Sequence, residues 1–346
     1  MLKFINNMKF NYSKICSDLL RDLSQRAKEV VLRRFGLESD ERETLEAIGE
    51  SQGITRERVR QIQEDAILRI KPEIEKHQPI LDHFTSQINA AGNLKREDVL
   101  LNLLGGEKFQ NHIFFLLTLG EPFLRFAETN EHYSFWTTEP KSLNFAQKTT
   151  ESFYNFLLKK KEPLSLGNLS AHQILGGNLE RETINRLSLQ AFQSFLEISK
   201  KIEQNQEGLF GLKDWPEINP RGIRDLAYLV FKKEKTPLHF TKVANLIGNK
   251  CNPQSVHNEL IRDPRFVLVG RGLYALREWG YKPGVVKDII IEVLKETKKP
   301  LSKEEILEKV LKQRVVKENT ISLNLNSKKY FSKTSEGKYT LANKKI

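Results

Sequence analysis

Residues 19–70 read LLRDLSQRAKEVVLRRFGLESDERETLEAIGESQGITRERVRQIQEDAILRI, and the pattern of this stretch decides the N-terminal part of the fold. Leu20, Leu23, Ala27, Val30, Val31 and Leu32 make a helical apolar stripe, with Ser24 placed to cap a helix within it. Phe35-Gly36-Leu37 breaks that stripe, and an acidic loop follows. Thr44 suits the N-cap of a short second helix that turns Leu45, Ala47 and Ile48 inward. Gly49 lets a neighbouring helix approach closely, and Gly53 supplies the left-handed residue of a tight turn. A third helix starts at Thr55. On it Val59, Ile62, Ala66 and Ile70 share one narrow sector, while Arg56, Glu57, Arg60, Gln61 and Glu64 cluster on the opposite side.

A helix that buries one face and presents Arg, Glu and Gln from its first two turns suits major-groove reading. Arg pairs two-fold with guanine, Gln with adenine, and Glu accepts from the cytosine amino group. The order of short helix, glycine turn and basic helix separates this reading from an ordinary amphipathic helix with a solvated face. TLEAIGESQGITRERVRQIQ, residues 44–63, resembles region 4.2 of the bacterial sigma-70 family, whose helix-turn-helix reads the promoter −35 element. LSQRAKEVVLRRFGLE, residues 23–38, resembles region 4.1, which packs beside it and helps dock on the RNA polymerase flap. The resemblance implies that Arg56, Glu57 and Gln61 face bases. It puts Thr44, Arg58 and Arg60 on or near the phosphate backbone, with Arg60 also within reach of a base. Only 18 residues precede Leu19, too few for the −10-binding and core-binding region of a sigma factor. Stand-alone initiation is not expected; a sigma-like DNA reader attached to something else is.

The remainder repeats itself. SFLEISKKIEQNQEGLFGLKDWPEINPRG (194–222), RFVLVGRGLYALREWGYKPG (265–284) and KYFSKTSEGKYTLA (329–342) each read as strand, glycine turn, strand. Upstream come helical patterns in matching order, with Glu162-Pro163-Leu164-Ser165, Thr-Pro-Leu-His-Phe and Lys-Pro-Leu-Ser as short extended segments. Leu179–Phe192 reads as a helix of the first of these units; Thr241 and Ser302 read as N-caps of second helices in the later ones. Helix, extended segment, helix, helix, hairpin is the winged helix-turn-helix order. Residues 80–140 echo it only faintly. The fold class expected is mostly α with small β-hairpins, an N-terminal helix-turn-helix module followed by tandem winged-helix units. The boundaries are a disorder-prone segment 1–18, the helix-turn-helix 19–78, and units 79–140, 141–219, 220–283 and 284–346. KKEKTPLHFTKVANLIGNK followed by RDPRFVLVGRGLYALREWGY resembles the HARE-type helix-turn-helix family, which includes the N-terminal domain of the RNA polymerase delta subunit. The endings LFGLKDWPEI and GKYTLA carry the same resemblance for the neighbouring units.

The chain has 346 residues and a net charge of +12, and the excess is uneven. Segments 1–78, 79–140 and 141–219 carry +1, −4 and +1, whereas 220–283 and 284–346 carry +7 each. A basic end attracts phosphate by counterion release, while the acidic unit suits a protein contact. Secondary DNA contacts are expected at Gln254, Asn258 and Arg262, on or near one side of a third helix with His257, and at Arg271 in the wing turn. Lys317, Asn319, Thr320 and Lys333 fill those roles in the last unit. The longest apolar run, Ile113–Leu119, is far short of a membrane span, and the N-terminus lacks a signal-peptide pattern. Cys16 and Cys251 cannot build a disulfide framework or a cysteine zinc site, which fits a reducing cytoplasm.

There is no Walker-type loop, no paired metal-binding histidines, and Glu296-Thr-Lys298 and Glu336-Gly-Lys338 lack the acidic partner of a nuclease. No enzyme, cofactor, metal or small-molecule substrate is expected. The function expected is a sequence-specific DNA-binding transcription regulator, cytoplasmic and nucleoid-associated, with double-stranded DNA and the RNA polymerase core at its flap as partners. A polymerase accessory subunit or adaptor acting by protein contact is the alternative. A DNA-binding part of a restriction or defence system is a third reading.

Overall fold

The computed structural model describes residues 10–39, 41–168, 187–248 and 251–342. It is mostly helical, with small antiparallel strand pairs, and divides into two compact units, Met1–Asp214 and Trp215–Ile346. No helix among the described residues is long and apolar enough to cross a membrane.

The first unit begins with α1 (Tyr12–Leu19), whose cap Asn11 accepts from the Lys14 amide at 3.0 Å. The apolar stripe read from Leu20 onward is therefore not one helix: Leu20 and Leu23 lie in the turn after α1, and α2 (Gln25–Phe35) starts only after Ser24, which caps it, and stops at Gly36 with φ 60°. Next come α3 (Leu45–Gln52) and α4 (Arg56–Ile74), which runs through Pro72. Thr44 and Thr55 cap α3 and α4, and Gly53 takes φ 64° in the turn between them. A Cβ on Gly49 would stand 2.7 Å from the Ile54 carbonyl oxygen, which is why this corner needs glycine.

Three times thereafter the chain follows one order of helix, short strand or bridge, helix, helix, hairpin, and a further repeat shows the same order except for residues 169–186, which lie outside the described residues. The first time it uses α5 (Gln78–Ala90), β1 (Leu94–Arg96), α6 (Glu97–Gly105), α7 (Gln110–Leu119), β2 (Leu124–Phe126) and β3 (Phe135–Thr137), in the sheet order β1-β3-β2. The second has α8 (Ser142–Lys160), a bridge from Leu164 to Phe210, α9 (Leu189–Glu197), β4 (Ile202–Gln204) and β5 (Phe210–Leu212). In the second compact unit the third has α10 (Gly222–Glu234), β6 (Leu238–His239), α11 (Phe240–Ile247), α12 (Pro253–Arg262), β7 (Phe266–Gly270) and β8 (Leu273–Leu276), ordered β6-β8-β7. The fourth has α13 (Val286–Thr297), a bridge from Leu301 to Tyr339, α14 (Lys303–Leu311), α15 (Glu318–Leu325), β9 (Phe331–Lys333) and β10 (Tyr339–Leu341). In every repeat the leucine after the first helix pairs with the last strand: Leu94 with Thr137, Leu164 with Phe210, Leu238 with Tyr274, Leu301 with Tyr339.

Three details depart from the sequence reading. Residues 80–140, the faintest echo, show the full order, including the unforeseen strand β1. Thr241 is not a cap: His239 precedes α11, and its Nδ1 accepts from the Thr241 amide at 3.4 Å, so the helix starts two residues earlier. The helix expected over Leu179–Phe192 begins at Leu189 behind its cap Ser188; residues 179–186 lie outside the described residues. Ser302, by contrast, caps α14 in a full capping box with Glu305.

One core joins the helix-turn-helix to the first repeat. Tyr12, Cys16, Leu20, Val31, Phe35, Ala66 and Ile70 pack with Phe84, Leu100, Phe115, Leu116 and Trp136. Burial pushes the Cys16 thiol up to about 12, so it behaves as a small apolar side chain.

Candidate nucleic-acid interface

The α3–α4 pair is held by a small core of Val30, Ile48 and Val59, with Leu45, Ile54 and Ile62 around it. That leaves the opposite side of α4 facing outward, and Arg56, Glu57, Arg58, Arg60 and Gln61 are all exposed there. The Thr55 hydroxyl accepts from the Arg58 amide at 3.2 Å, and that of Thr44 from the Ala47 amide at 3.1 Å. Each hydroxyl keeps its own proton to donate to an anion, and each stands at a helix N-terminus, where the dipole favours negative charge. The structure thus brings all six residues singled out in this module onto α4 or the start of α3.

Their mutual contacts are specific. Arg60 donates to both Glu57 oxygens from Nε, at 3.1 and 3.0 Å, and to Oε1 from Nη2 at 2.7 Å; it also meets Glu64. Arg60 holds the Glu57 carboxyl below the usual carboxylate range, and Glu57, then Glu64, raise the Arg60 guanidinium above its ordinary value. Arg58 Nη1 donates to Gln61 Oε1 at 3.1 Å.

Behind this face lies a brace that sequence reasoning missed. Arg33 on α2 forks onto Glu43, Nε to Oε1 at 2.8 Å and Nη2 to Oε2 at 2.7 Å, and its Nη1 donates to Ser51 Oγ on α3 at 2.7 Å. Arg34 Nη1 adds a bond to the Glu43 carbonyl at 2.8 Å. The Arg33 side chain holds the Glu43 carboxyl below its usual range. Arg42 leans on the first repeat, donating to Asn111 Oδ1 at 2.7 Å with its guanidinium 3.8 Å over the Phe114 ring. Asn111 Nδ2 in turn donates to the Gly36 carbonyl at 3.1 Å. Such long-range pairs leave no fixed spacing in a sequence.

The remaining candidates belong to the second compact unit. Gln254, Asn258 and Arg262 are exposed on α12; Gln254 Nε2 donates to Asn258 Oδ1 at 3.2 Å. His257 is half-buried and stacks on Phe240, centroids 4.5 Å apart. Arg271 is exposed in the turn between β7 and β8, Lys317 precedes α15, Asn319 and Thr320 are exposed in its first turn, and Lys333 is exposed on β9. Residues 215–346 carry 27 Lys and Arg against 14 Asp and Glu, a net +13, whereas residues 1–214 carry 29 against 30.

Residues 19–71 match the family model of Sigma-70, region 4. Over this region the chain is 52% identical across 56 residues to the RNA polymerase sigma factor RpoS of Coxiella burnetii, covering 16% of each chain. It is 37% identical across 59 residues to the RNA polymerase principal sigma factor HrdD of Streptomyces griseus, covering 17% of this chain and 18% of that one. With the RNA polymerase sigma factor sigB of Arabidopsis thaliana it shares 45% over 53 residues, 15% of this chain and 9% of that one. The chain therefore spans less than a fifth of the length of these relatives, and the likeness is confined to the helix-turn-helix.

Proposed function

We propose that this protein is a sequence-specific DNA-binding transcription regulator that works with bacterial RNA polymerase in the cytoplasm, on the nucleoid. In this reading α4 enters the major groove, with Arg56, Glu57 and Gln61 toward bases and Thr44, Arg58 and Arg60 toward phosphates. The observation that carries it is the outward face of α4, polar over its first two turns and braced from behind by the Arg33–Glu43–Ser51 contacts. The likeness of residues 19–71 to RNA polymerase sigma factors supports both the DNA and the polymerase association. Gln254, Asn258, Arg262, Arg271, Lys317, Asn319, Thr320 and Lys333 are proposed as secondary DNA contacts. Docking on the polymerase flap through the apolar flank of α2 is the weaker reading. Val31 and Phe35 on that flank are already covered by this chain's own α7.

The test is site selection from random duplexes with the full chain, repeated with Arg56→Ala and Gln61→Ala. Each variant is expected to relax preference at one base pair, a loss of about 1–3 kcal/mol of discrimination there. Unchanged selectivity in both would remove the base-reading assignment.

A further inference from the structure

We infer that the four winged-helix repeats divide their labour: the first two are an internal scaffold, and the last two are a sequence-independent grip on the phosphates of duplex DNA. The inference rests on the proposed function only in taking duplex DNA as the ligand.

In a winged helix the groove-entering element is the third helix of the unit. In the first repeat that helix is α7, and it is consumed by packing. Ile113, Phe115, Leu116, Leu117 and Leu119 are all buried. They lie against α1, α2 and α4, with Phe35 and Phe115 edge to face at 5.0 Å. In the second repeat the helix that leads into the hairpin, as the third helix does elsewhere, is α9, and it packs on β1 of the first repeat. Phe195 joins Leu94 and Phe135 in one cluster. Lys95 Nζ reaches Glu197 Oε2 at 2.7 Å and Ser194 Oγ at 3.1 Å, a pair little exposed on either side. Neither helix can enter a groove without unfolding this unit.

The third and fourth repeats are built otherwise. On α12, Val256 and Leu260 face the core, and the outward positions carry Gln254, Asn258, Ile261 and Arg262 in the open. On α15, Ile321 and Leu325 are buried, and Asn319, Thr320 and Leu323 are exposed. Amides and hydroxyls on such faces donate to phosphate oxygens. Around them Arg271, Lys317, Lys333 and Lys338 are exposed as well.

These two repeats are also fixed to one another. Arg314, 3% exposed, donates to the carbonyls of Gln313 at 2.5 Å, Lys282 at 2.6 Å and Gly284 at 2.8 Å. Gln313 Nε2 donates to the Gly280 carbonyl at 3.1 Å, and the Val315 amide to the Val269 carbonyl on β7 at 2.8 Å. Two free third helices on one locked body with a net +13 fit a polyanion; an acidic protein surface is the outcome that would replace it.

The experiment measures, with the full chain, how affinity for a selected and a scrambled duplex falls with salt. The variant Arg271→Gln/Lys317→Gln/Lys333→Gln is compared with Lys108→Gln/Lys148→Gln/Lys159→Gln, which removes the same charge from the first two repeats. Each phosphate contact contributes about 0.9 to the slope of log affinity against log salt. The first variant should flatten that slope by roughly 3 and weaken both duplexes equally, on the order of a hundredfold at 0.15 M salt. The second should leave the slope as it was. An unchanged slope in the first variant, or an equal fall in the second, overturns the division. A flattened slope in a protein that prefers no sequence upholds the division while the base-reading proposal fails.

Discussion

Arg60 stands between two carboxylates, Glu57 one turn before it and Glu64 one turn after, on the face of α4 proposed to meet DNA. All three side chains are well exposed, so these ion pairs contribute little to folding. Their effect belongs to binding. A phosphate that recruits Arg60 has to compete with both carboxylates, and any carboxylate left at the interface repels the backbone. Glu57 has a proposed role at a base edge; Glu64 has none. Glu64→Gln is therefore expected to tighten binding to selected and scrambled duplexes alike, with a steeper salt dependence and a smaller ratio between the two. Affinities measured at two salt concentrations decide it, and weaker or unchanged binding to both duplexes would show that Glu64 does not restrain Arg60.

At the scale of the element, the same strained corner recurs in three of the four repeats, and the first repeat has a left-handed residue nearby. The described non-glycine residues with positive φ are Asn93, Lys161, Lys235 and Lys298, and each lies just past the first helix of its repeat. Lys161, Lys235 and Lys298 close α8, α10 and α13 in the left-handed conformation, each three residues before the leucine that pairs with the hairpin. An L-residue there sits in a region that disfavours its Cβ by about 1–2 kcal/mol. A flexible lysine tolerates this, and a positive charge is favourable at the carbonyl end of a helix. A β-branched side chain does not, so Lys235→Val should destabilise the second compact unit by roughly 1–2 kcal/mol. Lys235→Asn should fall within about 0.5 kcal/mol of the parent, since Asn is well tolerated there. Urea unfolding of the three proteins checks the order; a harmless valine would mean the corner is not fixed in this conformation. The Pro-Leu segments of the last three repeats were legible as extended stretches, because proline soon after a helix end marks a stop, but the left-handed residue before each was not. Helix caps at Ser24, Thr44 and Ser302 were legible because a hydroxyl side chain caps the helix that starts right after it. What covers an apolar helix was not. Ile113–Leu119 reads as buried from its composition, yet nothing local says that its cover is the helix-turn-helix. β1 was missed because Leu94-Lys95-Arg96 is too short and too charged to alternate visibly.

The core shared by the helix-turn-helix and the first repeat gives the first compact unit a sensitivity to acid that can be worked out in sign. His83 on α5 lies against Phe10, ring centroids 5.6 Å apart, and His112 on α7 has Nε2 3.4 Å from the Ser13 hydroxyl on α1. Burial lowers both imidazoles below their ordinary value, which is near 6.5. In the folded chain each resists a proton that the unfolded chain accepts. Their neutral forms thus support the fold fully above about pH 6.5, and that support is lost as pH falls from there through the lowered values. The carboxylate of Glu43, held down by Arg33, acts in a separate window: its contribution persists until pH drops below the ordinary carboxylate range, near 4. Between pH 7 and 5 the histidines dominate. Backbone hydrogen exchange in α4 and α7, corrected for intrinsic rates, should accordingly show weaker protection at pH 5 than at pH 7. His83→Gln/His112→Gln removes both titrations and should give equal protection at the two values. Because α7 braces the helix that is proposed to read DNA, acid should loosen the reader through its platform. Equal protection of the parent protein at both pH values would mean that neither imidazole is held neutral by this core.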